Sequence, residues 1–184
     1  MQKVIFLIIV MGLPGAGKTT VLQALKEKRS DYKFVNYGDL MFDIERKKGW
    51  VKTRDEMRKL PVEKQKLAQG LVAKALAKEK SRLVLDTHCA VSTPSGYYPG
   101  LPFSFLKGLT VEKLIYINAD ANEIVTRIQN DKTRVRDIYD TTEHDKFNRY
   151  LLAAYSAFTG APATIIHNKQ GNVEEAVAKL NGLL

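Results

Sequence analysis

The chain has 184 residues, 45% of them hydrophobic and 27% charged, which is the balance of a globular protein of about one domain with room for a core. Its one cysteine, Cys89, excludes an internal disulfide and a multi-cysteine zinc site and fits a reducing, cytoplasmic setting. The net charge of +9 points to anionic partners, and no run approaches the about 20 apolar residues that would span a bilayer, so a soluble protein without a membrane partner is expected.

An apolar run at residues 4–11 predicts a buried strand. It leads directly into Gly12, Leu13, Pro14, Gly15, Ala16, Gly17, Lys18 and Thr19, with Thr20 behind. Strand, glycine turn, then Lys-Thr is the pattern of a phosphate-binding loop. Its glycines let the backbone curl round an anion without Cβ clashes. The curled N–H groups then face the anion at the start of a helix, predicted over residues 19–28. Lys18 can reach the outer phosphates of a nucleoside triphosphate, and the Thr19 hydroxyl can take a place on Mg2+. The apolar start is no signal peptide, because cleavage after it would destroy this loop.

Further strands are predicted at residues 34–37, 82–86, 113–118 and 164–167. Helical spacing marks residues 62–78, a short helix begun by Pro102, residues 121–130, a longer helix striped by Phe147, Leu151, Ala154 and Phe158 that stops at Gly160, and residues 173–184. This alternation predicts an α/β fold, a five-stranded parallel sheet with helices on both faces, in one domain over residues 1–184. Two insertions decorate it, one between the second and third strands, at about residues 36–80, and a polar one at about residues 130–142 that has the character of a lid. Ligands of such sheets sit at the carboxyl ends of the strands. Tyr37-Gly38-Asp39 and Asp86-Thr87-His88 occupy those places.

Asp86, ending an apolar strand, is a candidate to hold the metal through water. Transfer between two polyanions also needs fixed positive charge, and the planar arginine fork suits it. Arg54, Arg58, Arg127, Arg134, Arg136 and Arg149 are the candidates. Arg54 and Arg58 share one face if their segment is helical, and Arg134 and Arg136 lie in the polar insertion. Residues 93–102, with three prolines and two glycines, read either as a stiff wall for a second substrate or as a connector. Cys89 reads as a small buried side chain.

Several segments together resemble the archaeal-type adenylate kinases, a branch of the nucleoside-monophosphate kinases. The resemblance is carried by the loop Gly12–Thr20, Asn36-Tyr-Gly-Asp39, Arg54-Asp-Glu-Met-Arg-Lys-Leu60, Asp86-Thr-His88, Thr93-Pro-Ser-Gly-Tyr-Tyr-Pro-Gly-Leu-Pro102, Thr133-Arg-Val-Arg-Asp137 and Thr159-Gly-Ala161. It covers nearly the whole chain and implies a P-loop kinase three-layer sandwich. The implied reaction is MgATP + AMP ⇌ MgADP + ADP, with Mg2+ as cofactor. It implies an AMP-side module holding Asn36, Gly38, Asp39, Arg54, Arg58, His88 and Tyr97. It further implies catalytic Lys18, Arg134, Arg136 and Arg149, an ATP site of the loop with Arg127, metal contacts from Thr19 and, through water, Asp86, and a homotrimer. Val135 stands where the family often has Asn, and the lid lacks the cysteine cluster of some bacterial relatives, so no structural zinc is expected. The acceptor phosphate, with a second pKa of about 6, is largely ionised at neutral pH and needs alignment rather than a strong base.

Two other readings stay open on the residues. A kinase for a hydroxyl acceptor would want a carboxylate base, for which Asp39 could serve. A nucleotide-gated RNA or ribosome-assembly factor would draw on the high net charge, although no aromatic-basic RNA-recognition pattern accompanies it, so RNA is the weaker partner.

Overall fold

The computed structural model describes residues 6–57, 59–93, 96–130 and 140–184. In chain order the elements are β1 (Leu7–Gly12), α1 (Lys18–Lys28), β2 (Tyr32–Asn36), α2 (Tyr37–Lys47), α3 (Arg54–Met57), α4 (Val62–Leu76), β3 (Arg82–Asp86), β4 (Ala90–Thr93), β5 (Gly96–Pro99), α5 (Phe103–Leu106), β6 (Val111–Asn118), α6 (Ala121–Asn130), α7 (Thr141–Thr159), β7 (Ala163–His167) and α8 (Val173–Leu183).

Five strands form a parallel sheet in the order β2-β3-β1-β6-β7, and β4 and β5 form a separate antiparallel hairpin. The central strand β1 is buried along its whole length, as its unbroken apolar run requires of a strand covered on both faces. Its side chains alternate. Leu7, Ile9 and Met11 join one core with Leu114 and Tyr116 of β6, whereas Ile8 and Val10 join another with Ile115 and Ile117. The first core is closed by Met41 of α2, Ala68, Val72 and Leu76 of α4, Phe105 of α5, and Leu152 and Tyr155 of α7. The second is closed by Val21, Leu22 and Leu25 of α1 and Ala176, Val177 and Leu180 of α8. Each such side chain taken from water contributes about 1.5–3 kcal/mol, which makes this two-sided burial the main support of the sheet.

The five expected strands are present, with β2 placed two residues earlier than residues 34–37 suggest and ending at Asn36. Tyr37 instead opens α2, a helix not expected within the first insertion. Its N-terminus is capped by Asn36, whose side chain accepts from the Asp39 N–H at 3.1 Å. Arg54 lies in the short helix α3, and Arg58 falls outside the described residues. The segment at 93–102 is in part the second strand of the hairpin. The long helix α7 starts already at Thr141, where Asp140 caps it by accepting from the Glu143 N–H at 3.0 Å, and it ends at Gly160 with φ 72°.

Cys89 is fully buried. Its thiol, pushed up to about 12 by burial, donates to the Asn148 carbonyl at 3.3 Å, the inert packing role expected of it. Gly100 closes the hairpin onto the same place, its N–H donating to the Cys89 carbonyl at 2.8 Å. A Cβ on Gly100 would lie 1.9 Å from the His88 carbonyl oxygen. Gly100→Ala must therefore lift the hairpin off the end of β3, and we expect a loss of about 1–3 kcal/mol. Urea unfolding measures it, and an unshifted midpoint would show that the backbone contact is not needed.

Candidate active site

The loop between β1 and α1 is shaped by three close approaches. At Gly12 a Cβ would sit 2.5 Å from the Ile117 carbonyl oxygen of β6. Gly15 and Gly17 hold φ of 84° and 82°, a region that disfavours side chains, and at Gly17 the place of a Cβ is taken by the Asn168 amide, 2.2 Å away. Leu13 and Ala16 turn inward onto Ala119, Ile124 and Ile128, so the loop is nailed to α6 by its apolar side chains and turns its backbone outward. The Asn168 amide donates to the Ala16 carbonyl at 2.8 Å, and its backbone N–H to the Asn118 carbonyl at 2.7 Å, which ties the loop to the ends of β6 and β7.

Helix α1 then begins at Lys18 with Gly17 as N-cap, no side-chain cap and no acidic residue in its first turn. Its leading N–H groups are left for an anion, and the helix dipole favours one there. Lys18 is buried and folds onto Asp86 of β3, with which it forms an ion pair. The register Val10↔Asp86 places that carboxylate beside the end of β1. Here β1 and β3 end side by side while the chain beyond β3 crosses to the other side of β1, the position at which open parallel sheets bind ligands. Burial draws the Lys18 ammonium down to about 8.

The other oxygen of Asp86 accepts from the Asn36 amide at 2.8 Å. Asn36 thus caps α2 with its oxygen and holds Asp86 with its nitrogen. Asp39, in the first turn of α2, pairs with Arg54, whose guanidinium also lies near Gly38. Thr19, Asn36, Asp39 and Asp86 line one cleft of about 200 Å³, together with Gln23 and Lys26 of α1. This collects a hydroxyl and two carboxylates. Among the described residues no group of three or more His, Cys, Asp or Glu side chains could hold a metal by itself. The donor set suits Mg2+, which keeps its waters and takes one or two carboxylates plus substrate phosphates.

Toward the β7 edge a second cleft, of about 260 Å³, is lined by Gly17, Thr20, Arg127, Asn168, Lys169, Gln170, Gly171 and Val173. Arg127 is held there by Glu123 at 2.9 Å and Gln170 at 2.8 Å. Arg149, on α7, donates through Nε to Asp145 at 2.7 Å. With the Asn118 amide oriented by its neighbours, Arg149 Nη2 meets the Asn118 oxygen at 2.6 Å, at the end of β6.

The structure therefore gathers Gly12 through Thr20, Asn36, Gly38, Asp39, Arg54, Asp86, Arg127 and Arg149 around the carboxyl ends of β1, β2, β3, β6 and β7. His88 is exposed just past β3. The Tyr97 ring stacks on Phe147 and lies tilted over His144 of α7, 4.8 Å from each, and so packs the hairpin onto that helix. Arg58, Arg134 and Arg136, with most of the expected lid, lie outside the described residues. Sequence reasoning passed over Asn118, Asn168 and Gln170. The strand-end rule that singled out Asp86 applies equally to the two asparagines, but neutral amides carry no chemistry that draws the eye.

Comparison with known proteins agrees with this geometry. A family model described as an AAA domain matches residues 11–145. An adenylate kinase of Methanopyrus kandleri is 42% identical over 179 residues, covering 94% of each chain, and one of Methanothermobacter thermautotrophicus is 42% identical over 183 residues, covering 96% of this chain and 98% of that one. In fold the chain is similar to shikimate kinase from Bacteroides thetaiotaomicron, with a TM-score of 0.54, 19% identity and 97% of each chain covered.

A polyphosphate laid against Lys18 must restore the charge that burial weakens. Free protein loses the Lys18 proton above its lowered value, whereas the liganded protein keeps it, so nucleotide binding at about pH 9 takes up protons and binding at about pH 7 takes up far fewer. Calorimetry in buffers of unlike ionisation enthalpy measures the uptake. Lys18→Ala should abolish the excess at high pH, and an excess that survives would place the titrating group elsewhere.

Proposed function

The chain belongs to the archaeal-type adenylate kinases, and from that membership we propose how its own residues divide the work. The activity is reversible transfer of a phosphoryl group from ATP to AMP, giving two ADP: a phosphotransferase with a phosphate group as acceptor. We read residues 1–184 as one kinase domain, with an AMP-side module at about 36–80 and a lid at about 130–142.

One arrangement supports this division above all: a single anion cradle stands between two clefts that open toward opposite edges of the sheet. ATP enters from the β7 side. Its base lies against the Arg127 guanidinium beside Asn168, Lys169 and Gln170, since a planar cation stacks well on a planar ring. Its phosphates run along the backbone of Gly12 to Thr20, where the open N–H groups of α1 receive them. Lys18 takes the β- and γ-phosphates. Thr19 and, through water, Asp86 would hold Mg2+. Held there, the ion would supply positive charge against the negative charge that builds up on the phosphate oxygens.

AMP lies on the β2 side with Arg54 at its phosphate and Asn36, Gly38, Asp39, Arg58, His88 and Tyr97 about it. Asp39 is engaged by Arg54, which leaves it poorly placed as the free base a hydroxyl acceptor would require. Arg149 reaches the transferring group from α7, and Arg134 and Arg136, assigned by their sequence pattern, approach from the lid. Positive groups fixed before the reaction need no reorganisation as charge moves, which is the main source of rate in such a transfer.

Among the described residues no helix is long and apolar enough to cross a membrane, and a cytoplasmic location follows the family. For assembly as a homotrimer, one candidate surface lies on α7 and α5, which expose aromatic side chains. There Phe103 and Phe158 stack at 4.5 Å, and Tyr150 stands exposed.

The decisive assay supplies protein, Mg2+ and ADP alone. Equal amounts of ATP and AMP should appear, and Lys18→Ala should slow their formation at least about a hundredfold with an unchanged circular dichroism spectrum. No ATP from ADP, with turnover only when an alcohol is added, would overturn the proposal.

A further inference from the structure

Arg149 is tied down in a way that the reaction does not by itself require. Its side chain is substantially exposed, and an exposed arginine ordinarily samples many rotamers. Here two of its nitrogens are taken. Nε donates to Asp145 Oδ2 at 2.7 Å, and with the Asn118 amide turned so that its nitrogen donates to the Ile166 carbonyl at 3.3 Å, the Asn118 oxygen accepts from Nη2 at 2.6 Å. Two points fix the guanidinium plane, and among the described residues Nη1 is left over.

Both anchors lead back to one strand. Asp145 Oδ1 accepts from the Tyr116 hydroxyl at 2.8 Å, and the Tyr116 oxygen accepts in turn from the Asn148 amide at 3.1 Å. Tyr116 is fully buried in β6, and Asn118 ends the same strand two residues on, on the same face. Next to them, Ile117 of β6 presses its carbonyl on Gly12 and pairs with it in the sheet. The plane of Arg149 is thereby registered to the strand that flanks the anion cradle, although the residue itself is carried by α7.

The carboxylate has a cost. A negative charge beside Arg149 weakens the field it casts on a phosphate, so Asp145 is unfavourable as electrostatics alone. Its benefit is geometric: the ordering of a long side chain is completed before substrate arrives rather than in the transition state.

We propose that Asp145, oriented by the buried Tyr116 hydroxyl, is a positioning residue for the phosphoryl transfer, holding the Arg149 guanidinium in register with the phosphate cradle. The inference rests on the assignment of Arg149 to the transferring group. Asp145 touches no substrate and acts through Arg149 alone.

A double-mutant cycle tests this in the full-length enzyme, with Asp145→Ala, Arg149→Ala and the double variant. Asp145→Ala should lower kcat about ten- to a hundredfold, as a slight misplacement of a transition-state contact does, with KM for both nucleotides within about threefold. In the Arg149→Ala background the same change should have no further effect. Asp145→Asn, which keeps an acceptor oxygen, should recover part of the rate. It also serves as the test variant if the alanine form folds poorly. In ligand-free protein the Arg149 Nε–H should give a slowly exchanging NMR signal that Asp145→Ala abolishes. An equal loss of rate with and without Arg149 would overturn the proposal and make Asp145 a brace for α7. Full activity in Asp145→Ala, with Arg149→Ala impaired, would overturn it as well. Full activity in Arg149→Ala would instead remove the assignment of Arg149, and with it the premise.

Discussion

The ion pair between Lys18 and Asp86 is the constraint on which the site depends. It joins the first residue of the phosphate-binding helix to the last residue of the neighbouring strand, in a place where water has little access. A buried ammonium alone would be costly, and so would a buried carboxylate; together they are tolerated, and each is left charged for a different part of the ligand. The partner exchange that binding demands follows directly. On the proposed assignment, phosphate oxygens would compete for Lys18 and a hydrated Mg2+ for Asp86.

Around this pair the fold supplies stiffness through backbone rather than through many side chains. Gly12 and Gly17 have no room for a Cβ because β6 and Asn168 stand there. Leu13 and Ala16 pack onto Ala119 and Ile124 and anchor the loop by its apolar side chains. Asn36 serves two elements at once, as cap of α2 and as donor to Asp86. Asparagine can do both because it carries an acceptor and a donor on one short side chain; aspartate would set a second carboxylate against the first. Helix α2 is thereby linked to the Asp86 carboxylate through Asn36 at the end of β2.

The core of this fold was readable because its strands are apolar runs flanked by glycine, asparagine or aspartate, and two-sided burial leaves that trace. The anion loop was readable because glycine spacing and Lys-Thr have few other uses. What escaped did so for local reasons. Helix α2 begins at Tyr37 with no break after β2, and Asn36, which caps it, stands inside the run that reads as a strand. The β4–β5 hairpin was hidden by prolines, which speak for turns more loudly than the short alternation of Tyr97 and Tyr98 speaks for a strand. The start of α7 lay within charged sequence, although Asp140 and Glu143 have the spacing of a capping pair. Asn118, Asp145 and Asn168 act by orienting other groups, and such a role has no signature in residue type.

The most direct measurement is ATP binding to Asp86→Asn, with and without Mg2+. If the pair is as described, the substitution frees Lys18 from its half-buried partner. ATP alone should then bind at least as tightly as to the unaltered protein, whereas added Mg2+ should strengthen binding far less than it does with Asp86 in place. Weaker binding of metal-free ATP, together with an undiminished response to Mg2+, would contradict the account.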